Sequence, residues 1–453
     1  MSITYELLEK NNKLVDFYNL ILRTAHLHCR FEEFDKAIKL YDKALLFLRK
    51  NEQNHSFTVR DSEYAAVVGD KAKAVLKKSE LCHDYHEAIK LQLAAEALLK
   101  ESYMLFQKTN DVVRKNLIEV LIIDLDLKKD GYLLKALNSY EKVITNISVL
   151  INTVSTEEKS FCLIEFANIM VHYCALYIEA LDNSCDRSNL LKDIERPISY
   201  LSAASSIYRL ETPNDTLIFL DIRKIYLAML LAANYGDDEL SYDEILSSYN
   251  NLLKEYKKQF EEDGVDKDNE NLTDVYLCLS ALYYKMGIKN LCKHNIDISI
   301  ELSQAFNYSN QEKDLRRRYL GDKTKPAREL LNKSVEQCYL ALKTTNNKMT
   351  HVLGKVFLNI GSIKIALYAV TLNDKYLKEM VNELTEYLHL LKEKEETNII
   401  TAKLNDFIGR AFFYLKRRES LNYFEEAKRI FILNGLKKDS IEISRINYYM
   451  EFI

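Results

Sequence analysis

The segment FDKAIKLYDKALLF, residues 34–47, decides the fold class of this chain. Its apolar residues recur every three or four positions, which is the period of a helix with one buried face. Ala37, Tyr41 and Ala44 form a small-x3-large-x2-small pattern within it, where x is any residue. Small side chains at fixed helical spacing let a neighbouring helix approach closely. The segment therefore predicts an amphipathic helix packed against another helix.

The same spacing recurs along the chain, in Ala88, Gln92 and Ala95, in Ala136, Tyr140 and Val143, and in Ser420, Phe424 and Ala427. It resembles the second helix of the tetratricopeptide repeat. The first three matches lie 51 and 48 residues apart, whereas that repeat has a period of about 34. Longer helices are therefore expected. We predict an all-α fold, a right-handed α-solenoid of antiparallel helix pairs with roughly 18–20 helices.

Composition agrees with long helices joined by short connections. Only 10 Gly and 3 Pro occur in 453 residues, too few for the turns of an extensive β-sheet. Lys and Arg number 63 against 67 Asp and Glu, a net charge of −4 with both signs mixed along the chain. This balance predicts neither a nucleic-acid partner nor a membrane-surface partner.

The cysteines and the first residues indicate the compartment. The eight cysteines include no C-x-x-C pair, which is typical of thiols in a reducing environment. The start, MSITYELLEKNNK, carries charges where a signal peptide needs an apolar stretch. We therefore expect a cytoplasmic protein.

An acidic stretch, EEDGVDKDNEN at 261–271, interrupts the helical pattern with six acidic residues against one lysine. Such a segment has almost nothing apolar to bury and predicts an exposed loop or hinge. We place the boundary there, between an N-terminal helical-repeat half, 1–260, and a C-terminal half, 272–453.

Motifs for catalysis and cofactor binding are absent from the sequence. There is no Gly-rich phosphate loop and no G-x-S-x-G nucleophile motif. Cys82, His83, Asp84 and His86 offer potential metal ligands, but no second cluster supplies the remaining ligands that zinc needs. We expect no cofactor, no small-molecule substrate and no enzymatic activity, and keep a metal-dependent protein as the least favoured alternative.

The densest positive patch consists of Arg316, Arg317 and Arg318 with Lys313, Lys323, Lys325 and Arg328. Guanidinium groups bind carboxylates or phosphates in a bidentate manner, so the patch is a candidate anion-binding surface. The alternative, which we favour, is a solvated helix face with internal partners such as Asp314.

Residues 295–330, NIDISIELSQAFNYSNQEKDLRRRYLGDKTKPAREL, contain an apolar run, then an acidic and a basic segment. They resemble a C-terminal segment of the kinesin-binding protein family (KIF-binding protein). The matching residues are Ile296, Asp297, Glu301, Ser303, Phe306, Glu312, Asp314, Arg317, Arg318 and Lys323. Asn295 stands where the family has a histidine, and GDKTKP interrupts the family's dense basic run.

The resemblance implies a curved solenoid that sequesters a kinesin motor domain and blocks its attachment to microtubules, in the cytoplasm and associated with the cytoskeleton. The predicted contact residues are Asp314, Arg316, Arg317, Arg318 and Lys323, with Glu261, Glu262 and Asp263 of the acidic stretch. Acidic side chains there would meet the positive surface of a motor, although a plain linker is the favoured interpretation of that stretch. The alternative function is a general tetratricopeptide-like adaptor that binds peptides or subunits of a complex.

Overall fold

A computed structural model describes residues 14–50, 61–82, 85–130, 133–151, 156–183, 187–233, 242–263, 270–345, 350–393, 399–433, 436 and 440–453. The described residues form twenty α-helices and no strand. This confirms the predicted all-α class and the predicted number of helices. The chain divides into two compact units, Met1–Asn214 and Asp215–Ile453.

The first unit is a series of helix pairs. Its helices are α1 (Leu14–Arg30), α2 (Phe34–Lys50), α3 (Asp61–Leu81), α4 (Tyr85–Lys108), α5 (Val112–Asp130), α6 (Leu133–Leu150), α7 (Thr156–Asn183), α8 (Arg187–Lys192) and α9 (Glu195–Glu211). α1 packs on α2, α3 on α4, α5 on α6 and α7 on α9, and successive pairs also pack on each other. Short connections make sequential helices antiparallel.

The second unit repeats this arrangement with one insertion. Its helices are α10 (Thr216–Ala233), α11 (Tyr242–Asp263), α12 (Glu270–Lys293), α13 (Ile298–Ala305), α14 (Asn310–Gly321), α15 (Lys325–Lys343), α16 (Thr350–Thr371), α17 (Asp374–Glu393), α18 (Ile399–Tyr414), α19 (Ser420–Leu433) and α20 (Ile441–Met450). The pairs are α10 with α11, α12 with α15, α16 with α17 and α18 with α19, and α20 covers the last pair.

The small-large-small pattern lies at the contact between paired helices. Ala37, Tyr41 and Ala44 are almost completely buried. The corresponding residues of α6 and α19 are buried as well, whereas Ala88 and Gln92 of α4 are only half-buried. The structure shows two further matches that the sequence analysis missed, Pro197, Leu201 and Ala204 in α9, and Ala327, Leu331 and Ser334 in α15.

Glycines on the first helix of a pair meet the large residue of that pattern. A Cβ atom at Gly287 of α12 would lie 3.1 Å from Cγ of Leu331, and one at Gly409 of α18 would lie 2.8 Å from the Phe424 ring. Gly287 therefore permits close packing inside a helix.

The division between units differs from the predicted boundary at 261–271. One continuous core runs from Leu220 of α10 through Phe260 and Leu272 to Val370 of α16, and so includes helices on both sides of the acidic stretch. Residues 261–263 are the last residues of α11 and Glu270 begins α12, while 264–269 lie outside the described residues. The loss of apolar residues at 261–271 therefore does not coincide with a division of the apolar core.

Among the described residues, two helices are long and apolar enough to cross a membrane, within Lys159–Leu181 of α7 and Val352–Thr371 of α16. Of these windows, 50% and 72% are buried inside the protein. A core helix of a helical-repeat protein meets the same criterion, because it is apolar on most of its faces.

Candidate functional site

Residues 294–324 are inserted between the paired helices α12 and α15. α12 and α15 contact each other directly, whereas α13 and α14, which the insertion forms, pack on α16. Most of the segment that resembles the kinesin-binding protein family is therefore this insertion. We call residues 294–324 the insertion from here on.

Both helices of the insertion begin at capped N-termini. The Asp297 side chain accepts hydrogen bonds from the backbone N–H groups of Ser299 and Ile300. Ser309 and Glu312 form a capping box at the start of α14, in which the Ser309 N–H donates to the Glu312 carboxylate at 2.7 Å. These bonds lower the pKa of Glu312. The caps bond to backbone N–H groups at the start of each helix, and so fix where these two short helices begin.

A buried ion pair holds α13 against α14. Nε of Arg316 donates to Oε2 of Glu301 at 2.9 Å, and a second guanidinium nitrogen contacts the other carboxylate oxygen. Glu301 is only 2% exposed. The bond to Glu301 raises the pKa of Arg316, whose guanidinium also lies 4.6 Å from the Tyr319 ring centre. Arg316 therefore acts mainly within the insertion.

Arg317 attaches α14 to the end of α16. Its guanidinium donates to Asp314 at 2.9 Å and to the backbone carbonyl of Leu372 at 2.7 Å. Leu372 has φ 51° and directly follows α16, so this arginine satisfies a carbonyl at a helix C-terminus. The Arg328 guanidinium likewise donates to the backbone carbonyl of Gly321, the last residue of α14, at 2.6 Å.

Arg317 and Arg328 also line an open cavity of about 460 Å³. Its other lining residues are Gly321, Val370, Thr371, Asn373 and Tyr376. Both guanidinium groups already bond to helix-end carbonyls. These bonds attach the insertion, and they account for the position of the two cations at the cavity.

The outer face of α14 is exposed and partly apolar. Leu315 is 64% exposed and Tyr319, one helical turn later, is 50% exposed. Arg318 and Lys323 are exposed beside them, and the Lys323 ammonium lies 3.9 Å from the Tyr319 ring centre. Lys323 lowers the pKa of the Tyr319 hydroxyl. We call Leu315, Arg318, Tyr319 and Lys323 the α14 face.

The predicted contact residues differ in their surroundings. Arg316 is half-buried and bonds to Glu301, Arg317 and Asp314 are exposed but bond to each other, and Arg318 and Lys323 are exposed. The favoured interpretation of the patch, with Asp314 as an internal partner, holds for Arg317. Leu315 and Tyr319 were missed, although their i, i+4 spacing among charged residues is a recognisable apolar pair.

The acidic candidates lie on a different helix. Glu261, Glu262 and Asp263 are the last three residues of α11, and Glu261 is exposed. The side chains of Glu262 and Asp263 lie outside the described residues. Their role in binding stays a prediction.

Most of the side chains proposed as metal ligands lie outside the described residues. His83 and Asp84 and the side chain of His86 are outside the described residues, and Cys82 is half-buried. Within the described ranges, no group of three or more His, Cys, Asp or Glu side chains could hold a metal ion.

Comparisons with known proteins identify no family. No protein family and no curated protein matches this chain. A solved structure described as a circular tandem repeat protein with novel repeat topology and enhanced subunit contact surfaces aligns over 97% of this chain and 95% of that chain, at 11% identity and a TM-score of 0.25. A score this low carries no argument, and the fold assignment rests on the helix pairs themselves.

Proposed function

We propose that this chain is a non-catalytic scaffold that binds a protein partner. The observation that carries the proposal is the α14 face, where exposed Leu315 and Tyr319 lie beside Arg318 and Lys323 on a helix fixed by a buried ion pair. Tyrosine and arginine are enriched at the centres of protein interfaces, and a rigid surface loses little entropy on binding.

The partner we propose is a kinesin motor domain, sequestered so that it cannot attach to a microtubule. This choice rests on the resemblance of residues 295–330 to the kinesin-binding protein family. Many of the matching residues, including Asp297, Glu301 and Arg317, have internal structural roles here. They would build the insertion, while the α14 face would contact the motor. The protein would then act in the cytoplasm, in association with the cytoskeleton.

A co-sedimentation assay tests this proposal. Purified kinesin motor domains are mixed with microtubules, a non-hydrolysable ATP analogue and increasing amounts of the full chain. The account predicts that a motor which binds the chain moves from the pellet to the supernatant as the chain is added. A panel of motors from the same organism that all remain in the pellet, and that show no binding in gel filtration, would exclude the kinesin proposal.

The second candidate function is a general adaptor for peptides or subunits of a complex. It is favoured by a basic and aromatic groove in the second unit, which is described below. A partner that binds through a short isolated segment, and not through a folded domain, would support the adaptor over the motor inhibitor.

A further inference from the structure

Three consecutive cations form the turn between α18 and α19. Lys416, Arg417 and Arg418 are all exposed and line a groove of about 270 Å³. The remaining lining residues are Phe306, Phe413, Ser420, Phe452 and Ile453. We call this the basic groove.

The turn has a defined backbone conformation. Lys416 has φ 56°, in the left-handed region, and its N–H donates to the Phe413 carbonyl at 2.9 Å. The N–H of Arg417 donates to the Phe412 carbonyl at the same distance. These bonds terminate α18 and hold the three cationic side chains at one end of the helix pair.

Aromatic rings line the groove beside the cations. The rings of Phe306 and Phe413 stack with their centres 4.2 Å apart, so the end of α13 contacts the end of α18. The Lys416 ammonium lies 5.7 Å from the Phe306 ring centre, within the range of a cation–π interaction. The groove therefore offers an apolar floor and a positive rim.

Within the described part of the chain, no carboxylate side chain pairs with the cations of the groove. Among the residues that the structure describes, Lys416, Arg417 and Arg418 form no ion pair, although Glu419 follows them in sequence and is exposed. Arg429 of the adjoining helix, in contrast, pairs with Glu426 at 2.7 Å. Three neighbouring cations, two of which contact aromatic rings and none of which contacts a carboxylate among the described residues, favour a negatively charged ligand.

We propose that the basic groove binds an acidic linear segment of a partner protein, with one aromatic or large apolar side chain seated between the cations. The groove is smaller than the pockets of roughly 300–1,000 Å³ that enclose drug-sized ligands, and it suits a single side chain. A nucleic-acid strand would need a longer basic track than one turn. This inference rests on the proposed function only in that the chain binds proteins.

Fluorescence anisotropy with the full chain and a dye-labelled peptide, one phenylalanine flanked on both sides by glutamates, tests the proposal. We expect binding that weakens when lysines replace the glutamates, when alanine replaces the phenylalanine, and when salt rises from about 0.05 to about 0.5 M. Absence of binding at about 1 mM chain would overturn the proposal.

A charge-matched pair of variants locates the site. Lys416→Asn/Arg417→Gln/Arg418→Gln removes the cations of the groove, and asparagine tolerates the left-handed backbone at position 416. Lys375→Gln/Lys378→Gln/Arg429→Gln removes three exposed cations elsewhere in the same unit. We expect about tenfold weaker binding for the first variant and less than about twofold for the second.

Two results would contradict the proposal that the basic groove binds the peptide. One is an equal loss of affinity in both triple variants, and the other is displacement of the peptide by a single-stranded oligonucleotide as effectively as by unlabelled peptide. Arg418→Gln alone, which alters one exposed side chain, keeps the test informative if the triple variant fails to fold. The assay contains no motor, so its outcome is independent of the kinesin proposal.

Discussion

The α12–α15 pair and the insertion between its two helices are stabilised in different ways. In the pair, Gly287 lets α12 approach Leu331, and Ser334 donates to the Ser280 carbonyl at 2.7 Å in a buried contact. In the insertion, Leu302, Ala305 and Leu320 join the apolar cores as well, but polar contacts are added, from Arg316 to Glu301 and from Arg317 to a helix-end carbonyl. Packing by size fixes the scaffold, whereas the insertion combines apolar packing with these polar contacts and leaves its outer face exposed.

Alkaline pH should destabilise the helix pairs far more than the insertion. Three buried tyrosines of the pairs donate to carboxylates of neighbouring helices, and burial raises their pKa values well above the usual range: Tyr140 to Asp124, Tyr173 to Glu141 and Tyr256 to Asp221. These residues stay neutral when folded but ionise near pH 10 when unfolded. Their stabilisation is therefore complete below about pH 10 and decreases above it, by about 1.4 kcal/mol per pH unit for each tyrosine.

Denaturant unfolding at several pH values measures this loss. We expect the midpoint to decrease steeply above about pH 10, and the substitution Tyr256→Phe to make the decrease shallower. In a spectrophotometric titration of the folded protein, Tyr319 of the insertion should ionise before these three tyrosines, because Lys323 lowers its pKa. A midpoint that is independent of alkaline pH would contradict this assignment.

Truncating an aromatic ring should cost more in a helix pair than in the insertion. Phe424 is completely buried in the α18–α19 contact, so Phe424→Ala should reduce the free energy of unfolding by about 3–5 kcal/mol. Phe306 is half-buried against Phe413, and Phe306→Ala should cost about 1–2 kcal/mol. Urea denaturation of both variants measures the difference, and equal losses would show that the insertion is as tightly packed as the pairs.

Breaking the Glu301–Arg316 pair should release the insertion without unfolding the scaffold. Arg316→Met leaves the buried Glu301 carboxylate unpaired, at a cost of about 2–3 kcal/mol. Hydrogen exchange should quicken in α13 and α14 and remain unchanged in α12 and α15. Replacing both residues, in Glu301→Leu/Arg316→Met, should restore most of the protection. An Arg316→Met variant with unchanged exchange in the insertion would refute the role of the pair.

The smallest expected effects come from matched glycine substitutions. Gly287→Ala adds a methyl group against Leu331 and should destabilise the protein by about 1–2 kcal/mol. No atom lies within 4 Å of a Cβ added at Gly321, so Gly321→Ala at the end of α14 should be neutral or stabilising by up to about 1 kcal/mol. Thermal unfolding distinguishes the two. Similar stabilisation by both substitutions would mean that helix propensity, and not close packing, governs these positions.

The helical periodicity and the small-large-small pattern predicted much of the scaffold. Ala37, Tyr41 and Ala44 are buried as their spacing indicated. The matching residues in α9 were missed because Pro197 occupies a small-residue position. Local patterns suffice where packing depends on side-chain size.

The attachment of the insertion could not be predicted in the same way. Arg316 bonds to a carboxylate 15 residues earlier in the chain, and Arg317 bonds to a carbonyl 55 residues later. Such partners depend on how helices stack in three dimensions. The boundary predicted at 261–271 rests on composition alone, and composition does not report that Phe260 and Leu272, on either side of it, share one core.

The most direct test of the account asks whether the insertion, and not the scaffold, carries partner binding. The full chain and the variants Leu315→Glu and Leu210→Glu are used to capture proteins from a native lysate, followed by quantitative mass spectrometry. Leu210 is a fitting control because it lies on α9 in the other unit and is 81% exposed. The account predicts that the captured partners are lost with Leu315→Glu and retained with Leu210→Glu. Equal recovery with both variants would contradict the assignment of the α14 face as the binding surface.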